Sequence, residues 1–193
     1  MDNREQLDES IKKKLEGWDR TRHNRMNASE RLKGYSETWE VVSLIMNTEA
    51  IMFVIMAFTG SFSDILGIVS AAFSCYVILI QYFLATRDYS ARSLKMHYEQ
   101  LEIESLRAKL KTCQILDDGD YHVGEERVKS IIDQYQVSMR GSENHTKIDD
   151  DRYKETKNSP SHHVWDWTLD QVLIYFNVVI CILVASLIIY AIV

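Results

Sequence analysis

A carboxylate stands at the centre of an otherwise apolar stretch of the chain. Glu49, with Asn47 beside it, lies midway along Trp39–Thr59. Placing a charged carboxylate at the centre of a bilayer costs about 2.5–3.5 kcal/mol on insertion scales, so such a group must pair, hydrogen-bond, take up a proton or face water. Glu49 could hydrogen-bond across helices as a structural contact. Alternatively, Glu49 and Asn47 from several subunits could line a water-filled path that favours cations. Polar residues of the other apolar stretches that could meet Glu49 are Ser70, Ser74, Gln81, Asn177 and Ser186.

A second group of polar side chains is the triplet Glu143, Asn144 and His145. The three residues are adjacent in a segment with few apolar anchors, Gly141–Pro160, which we predict to be a polar loop. They could bind a nucleotide, a partner protein or another subunit. Equally, an asparagine is a common helix cap and a loop histidine is often simply solvated. The sequence alone leaves both interpretations open.

The sequence contains no recognisable catalytic motif. The chain contains no glycine-rich phosphate loop, nucleophile elbow or HExxH motif, so an enzyme is disfavoured. The cysteines Cys75, Cys113 and Cys181 show neither metal-ligand spacing nor a disulfide framework. We therefore expect no catalytic residue, no metal and no cofactor.

Three apolar stretches must position Glu49. Ile65–Ala85 and Val172–Val193 contain no charged residue over 21 and 22 positions, which as helices reach roughly 31–33 Å, the thickness of a bilayer core. Trp39–Thr59 is separated from the next stretch only by Gly60–Asp64, so the first two spans form a predicted hairpin. The mean hydropathy of −0.20, averaged over all 193 residues, does not reveal these spans. The net charge of −6 argues against a general nucleic-acid binder.

The predicted architecture is an all-α membrane protein in four parts. They are an N-terminal cytoplasmic helix (1–37), a two-span hairpin (38–85), a cytoplasmic helical hairpin with a polar loop (86–160) and a third span (161–193). The second span should continue without a break into the helix that begins at Thr86. That helix carries an apolar stripe that could form a coiled coil or pack inside the same chain, at Met96, Ile103, Leu106, Leu110 and Cys113.

The distribution of lysine and arginine predicts the orientation. Basic residues precede the first span and follow the second, whereas Gly60–Asp64 contains none. The positive-inside rule then places the N-terminus and the central segment in the cytoplasm and the C-terminus outside. The residues that carry the argument are Arg20, Arg22, Arg25, Arg31, Lys33, Arg87, Arg92 and Lys95.

The order of several short motifs resembles the SLATT domain, a SMODS- and SLOG-associating two-transmembrane effector family of bacterial defence systems. The resemblance covers roughly residues 15–155. Its best part is the triplet Glu143-Asn144-His145 after a tyrosine-bearing helix. The other matching segments are Trp18, Arg20 and Arg22, then Arg25–Lys33, Tyr98–Leu101, Tyr135–Met139 and Asp149–Asp151.

This resemblance implies a membrane effector of the bacterial inner membrane that forms a pore or disrupts the bilayer in abortive infection. It also implies a sensor encoded next door, either a nucleotide second-messenger synthase or a reverse transcriptase. A pore would in addition need a homo-oligomer, because three spans could hardly enclose a water-filled path. A nucleotide ligand is possible. The third span departs from the two-span pattern. The alternative hypothesis is a membrane-anchored scaffold that recruits a partner protein through 86–160 without conducting.

Overall fold

The computed structural model describes residues 3–58, 64–115, 121–158 and 168–192, and within these ranges it contains helices and no strand. The predicted all-α class is confirmed. Most of the predicted turn Gly60–Asp64 and the start of the segment 161–193 lie outside the described residues. The helices are α1 (Asn3–Phe58), α2 (Asp64–Arg87), α3 (Tyr89–Ile115), α4 (Tyr121–Ser138), α5 (Lys147–Asn158) and α6 (Leu169–Ile192).

The chain divides into two compact units. The polar unit comprises Met1–Arg31 and Arg92–Val164, and the span unit comprises Leu32–Ala91 and Trp165–Val193. Helix α1 is continuous from Asn3 to Phe58 and contributes to both units. The N-terminal helix predicted for 1–37 and the first span are therefore one helix.

The span unit has the composition of a membrane bundle. Three helices of the described chain contain a stretch long and apolar enough to cross a bilayer, which confirms the predicted membrane protein. One stripe of α1 is buried, and large apolar side chains such as Leu44 and Ile51 are exposed on the other sides, as expected of a helix that faces lipid. The stripe repeats every three or four residues, at Leu32, Tyr35, Trp39, Val42, Met46, Glu49, Phe53 and Met56.

The polar unit has its own apolar core between α1, α3 and α4. The indole of Trp18 on α1 stacks on the ring of Tyr135 on α4, with centroids 4.3 Å apart. The buried residues around this pair are Ile11, Ile103, Leu106, Leu110, Val128 and Ile131. The apolar stripe of α3 that began at Met96 thus packs inside its own chain, which decides between the two alternatives that the sequence left open.

The structure differs from the sequence prediction where α2 ends. Asp88 has a φ of 42° and separates α2 from α3, whereas a continuous helix was expected because no glycine or proline stands there. Aspartate tolerates the left-handed conformation better than most residues because its short side chain can hydrogen-bond locally. Its Oδ1 accepts a bond from the backbone N–H of Ala91 (3.3 Å) and so caps α3.

Candidate functional site

Helix α5 lies in the segment that was expected to be a loop. Thr146 precedes it as the N-cap: its backbone N–H donates to Oδ2 of Asp149 (2.9 Å), and its hydroxyl donates to the same oxygen (2.8 Å). The N–H of Asp149 returns a bond to the carbonyl of Thr146 (3.1 Å). A Thr-x-x-Asp sequence is a known helix-start signal, and the predicted polar loop of Gly141–Pro160 is wrong over Lys147–Asn158.

The carboxylate of Asp149 is the anchor of α5. It is fully buried and accepts two parallel bonds from Arg31 on α1, from Nε to Oδ1 and from a terminal nitrogen to Oδ2, each 3.0 Å long. Burial alone would raise the pKa of Asp149. The bonds and charge of Arg31, together with those of Thr146, outweigh burial and hold the pKa below the ordinary value of 3.8.

Asp150 makes the neighbouring contact. Both of its oxygens accept bonds of 2.7 Å from Arg20, and Lys154 of α5 lies 2.7 Å from Oδ2. The hydrogen bond from Arg20 is the main reason why the pKa of this carboxyl lies well below its usual range. A third contact comes from the amide of Asn24, 3.3 Å from Oδ1.

One face of α1 holds α5 through these bonds. Arg20, Asn24, Asn27 and Arg31 follow one another at spacings of four, three and four residues and so lie on the same side of the helix. The amide of Asn27 completes the set by donating to the backbone carbonyl of Asp149 (2.9 Å). We call these four residues the docking face. Polar and ionic bonds from these four residues hold α5 in place, together with a ring contact between His23 and Tyr153, whose centroids are 5.3 Å apart.

The three residues of the triplet before α5 differ in their surroundings. Glu143 accepts paired bonds from Arg92 of α3, and its backbone carbonyl accepts a bond from Arg25. The hydrogen bond from Arg92 lowers the pKa of Glu143 below the ordinary value of 4.5. Asn144 is exposed and His145 is half-buried. Glu143 therefore serves a contact within the chain.

Close packing of α1 against α3 supports this arrangement. The hydroxyls of Ser29 and Ser93 each donate to the other residue's backbone carbonyl, at 3.0 and 2.8 Å. Arg25 is buried between the helices, 3.3 Å from the carboxylate of Glu99 and 3.1 Å from the sulfur of Met96. These small and paired polar contacts fix the position from which Arg25 reaches the carbonyl of Glu143.

In the span unit, Glu49 and Asn47 are not brought together. Residues two apart lie on different sides of a helix. Glu49 is buried in the stripe of α1, and its Oε2 has no hydrogen-bond partner among the described residues. Asn47 accepts a bond of 2.7 Å from the amide of Gln81 on α2. The carboxylate is thus enclosed within a single chain, without a polar partner on that oxygen.

The third span makes polar contacts with the second span and with the start of α3. Asn177 is fully buried on α6; it accepts a bond from the hydroxyl of Tyr76 (2.8 Å) and donates to the carbonyl of Leu173 (2.8 Å). Near the start of α6, Asp170 accepts a bond of 2.7 Å from the hydroxyl of Tyr89. Helix α6 is therefore an integral part of the span unit.

Within the part of the chain that the structure describes, no group of three or more histidine, cysteine, aspartate or glutamate residues could hold a metal ion. The cysteines of the described chain are free thiols. Among the described residues, buried polar groups thus lie where α5 meets α1, between α1 and α3, and at Glu49 and Asn177 in the span unit.

Comparison with known families agrees with this architecture. A model of the SMODS and SLOG-associating 2TM effector domain family 5 matches residues 5–192. The chain belongs to this family. It is a family of helical membrane effectors of antiphage defence systems and not a known enzyme family. The match includes α6, so the third span lies inside the region that the family shares. No curated protein and no solved structure matches the chain.

Proposed function

We propose that this protein oligomerises on activation and opens a path through the bacterial inner membrane, so that the infected cell loses its membrane potential and stops growing. The observation that carries the proposal is the enclosed carboxylate of Glu49 in the stripe of α1, in a chain of an effector family. Several subunits are required, because three spans are too few to surround a water-filled path.

The energetics of Glu49 support a role beyond anchoring. A carboxylate inside a bundle loses its hydration, and replacing such a group with an apolar residue often stabilises a protein. A plain anchor gains nothing from this cost. In an effector, the same carboxylate is shielded from water while the bundle is closed. It contacts water or ions when the bundle rearranges. In this proposal the enclosed carboxylate belongs to the closed state.

The polar unit is the receiver of the trigger in this proposal. The lysine and arginine residues around the first two spans favour a cytoplasmic position for it and an outside position for the C-terminus. The trigger would come from a sensor encoded beside this gene, a nucleotide second-messenger synthase or a reverse transcriptase, either through a nucleotide or through direct contact. Glu143, Asn144 and His145 stay candidates for that contact, since all three are polar, the first two are exposed and His145 is half-buried.

Membrane-potential measurements on cells that express the protein with its neighbouring gene and phage test the proposal. Glu49→Leu should abolish depolarisation at equal protein level in the membrane, and Glu49→Gln separates the need for charge from the need for polarity. Thr48→Leu is the matched control, because Thr48 lies at the same depth but is exposed and bonds to its own helix at the carbonyl of Leu44.

Two results would contradict the proposal in different ways. Depolarisation that survives Glu49→Leu unchanged would remove Glu49 from the path. An unaltered potential with the native protein, in the presence of the neighbouring gene and phage, would remove conduction altogether. The alternative function would then be a membrane-anchored scaffold that recruits a partner through 86–160.

A further inference from the structure

Helix α3 has a second regular face that its own chain leaves uncovered. The buried face packs against α1 and α4, whereas the opposite face contains uncharged residues at alternating spacings of four and three. The three largest of these side chains are exposed by 52% (Leu94), 61% (Tyr98) and 48% (Leu101). We call the set the outer stripe; it consists of Leu94, Tyr98, Leu101, Ser105, Ala108 and Thr112.

The outer stripe has the pattern of a coiled-coil seam. Its positions are those that alternate as a and d in a heptad repeat, and the small residues Ser105 and Ala108 allow two backbones to approach closely. Charged or ionisable residues flank the seam on both sides, at Lys95, His97, Glu102, Glu104, Lys109 and Lys111. Each of them is exposed in the chain.

The flanking charges fit a second copy of the same helix in parallel. In a parallel pair, a residue at position g meets the partner's residue five positions further along, at e. His97 then meets the partner's Glu102, and Glu104 meets the partner's Lys109. No like-charged pair arises in this register. Glu104 also contacts Arg22 and Arg107 of its own chain, but half of its side chain stays exposed.

We propose that the outer stripe of α3 is the surface on which two copies of this chain pair side by side, in parallel and in register. The inference rests on the proposed function in that it names how subunits of the oligomer meet. On a lipid surface Glu102 and Glu104 would face anionic headgroups, whereas a second copy of the chain sets them against His97 and Lys109, which makes a second copy the better occupant. A closed pair related by a two-fold axis gives each copy the same contacts.

The pairing should be weak and depend on the membrane. The stripe covers fewer than three heptads and includes two hydroxyl residues, so it cannot hold a dimer by itself in dilute solution. Anchoring both copies in one bilayer raises their effective concentration without any new contact. This makes the paired state adjustable by the amount of protein or by a trigger.

Cysteine cross-linking of the full chain in inner-membrane vesicles tests the interface, in a background with Cys75, Cys113 and Cys181 changed to alanine. Ser105→Cys should form a cross-linked dimer with a short bismaleimide, since Ser105 meets the partner's Ser105 in the parallel register. Ser130→Cys, exposed on α4, is the matched control and should not cross-link.

Substitutions on the seam and its flanks then test specificity. Leu101→Glu should lower the Ser105→Cys cross-link several-fold without affecting folding, because Leu101 is exposed. Lys109→Glu should also lower it, by setting two acidic residues against each other. The double change Glu104→Lys with Lys109→Glu should restore it. A purely structural role of these residues within one chain would not produce this rescue.

Several outcomes would overturn the interface. These are equal cross-linking of Ser130→Cys and Ser105→Cys, no cross-link of Ser105→Cys with or without the trigger, or linking only between Leu94→Cys and Ser105→Cys, as in an antiparallel pair. A lipid-covered stripe would instead protect Ser105→Cys from water-soluble maleimide. Cross-linking without depolarisation would support the interface and contradict the pore. Depolarisation without cross-linking would support the pore and contradict the interface.

Discussion

The pairing of Arg31 with Asp149 sets two charges where water scarcely reaches. Their side chains are 6% and 0% exposed. Removing two charges from water is costly, and their mutual attraction offsets that cost only when the geometry is good and the remaining lone pairs are bonded. Here the bidentate contact and the two bonds from Thr146 meet both conditions. The two charges are therefore stable together, and removing only one of them is costly.

Asp149→Ala should thus destabilise the docking of α5 by about 3–5 kcal/mol, the cost of leaving one buried partner uncompensated. Hydrogen exchange of α5 in nanodiscs would measure it. Glu37→Ala is the control, because the Lys33–Glu37 pair is 70% and 65% exposed and such pairs contribute about 0–1 kcal/mol. Arg31→Met combined with Asp149→Ala should recover part of the loss. Equal small effects of both single changes would contradict a buried anchor.

The lowered pKa values of Asp149, Asp150 and Glu143 predict how acid acts on the same contacts. A carboxyl whose pKa is lower in the folded protein stabilises the fold above its unfolded pKa. That stabilisation is lost as the pH falls through the folded pKa. Stability should therefore show no loss from these groups between neutral pH and about pH 5 and should decline below about pH 4.

The thermal midpoint of the detergent-solubilised chain, measured from pH 7 to pH 3, checks this expectation. Changing Asp149 and Asp150 together to asparagine should flatten the acid decline, although the midpoint at neutral pH should be lower. A decline between pH 6 and pH 8 instead would assign the dependence to histidine.

At the scale of elements, the spans and α5 differ in how far the sequence predicts them. Helices α2 and α6 follow from long charge-free runs, whereas the buried stripe of α1 does not follow from the sequence, because its span is apolar on all sides. Helix α5 has only Ile148 and Tyr153 as large apolar residues, so apolar periodicity gives no sign of it. The Thr146-x-x-Asp149 sequence does predict that a helix starts here. The partner of Asp149 is Arg31, 118 residues away, and the partner of Asp150 is Arg20, 130 residues away. A single sequence does not reveal such pairings.

The junction at Asp88 allows a test of one residue's conformation. Asp88→Gly should change stability little, because glycine adopts a positive φ without strain and loses only the cap of α3. Asp88→Val should cost roughly 1–2 kcal/mol, because a β-branched side chain is unfavourable in the left-handed region. Chemical or thermal unfolding in detergent would compare the two. If valine is tolerated as well as glycine, α2 and α3 do not require this conformation.

For the molecule as a whole, each of the three spans buries a polar side chain: Glu49 on α1, Ser70 on α2 and Asn177 on α6. Asn177 is satisfied by Tyr76 and Leu173, whereas one oxygen of Glu49 has no hydrogen-bond partner in the described chain. Stability and function should therefore respond differently to the loss of each group.

Asn177→Leu should lower the thermal midpoint modestly, since hydrogen bonds between membrane helices contribute about 0.6 kcal/mol on average and up to about 1.7 kcal/mol. Glu49→Leu should leave the midpoint unchanged or raise it while removing depolarisation, as expected where a costly group is kept for activity. Thermal unfolding in detergent, paired with the membrane-potential assay, measures both effects. A large loss of stability on Glu49→Leu would make Glu49 a structural contact.

The polar character of the docking face also determines what would become exposed if α5 separated from α1. Arg20, Asn24, Asn27 and Arg31 would be wetted at once, and α5 itself carries charges that water accepts readily. The apolar core around Trp18 would stay covered by α3 and α4. Separation at this contact would therefore expose mainly groups that water can hydrogen-bond, with the ring of Tyr153 against His23 as the aromatic exception.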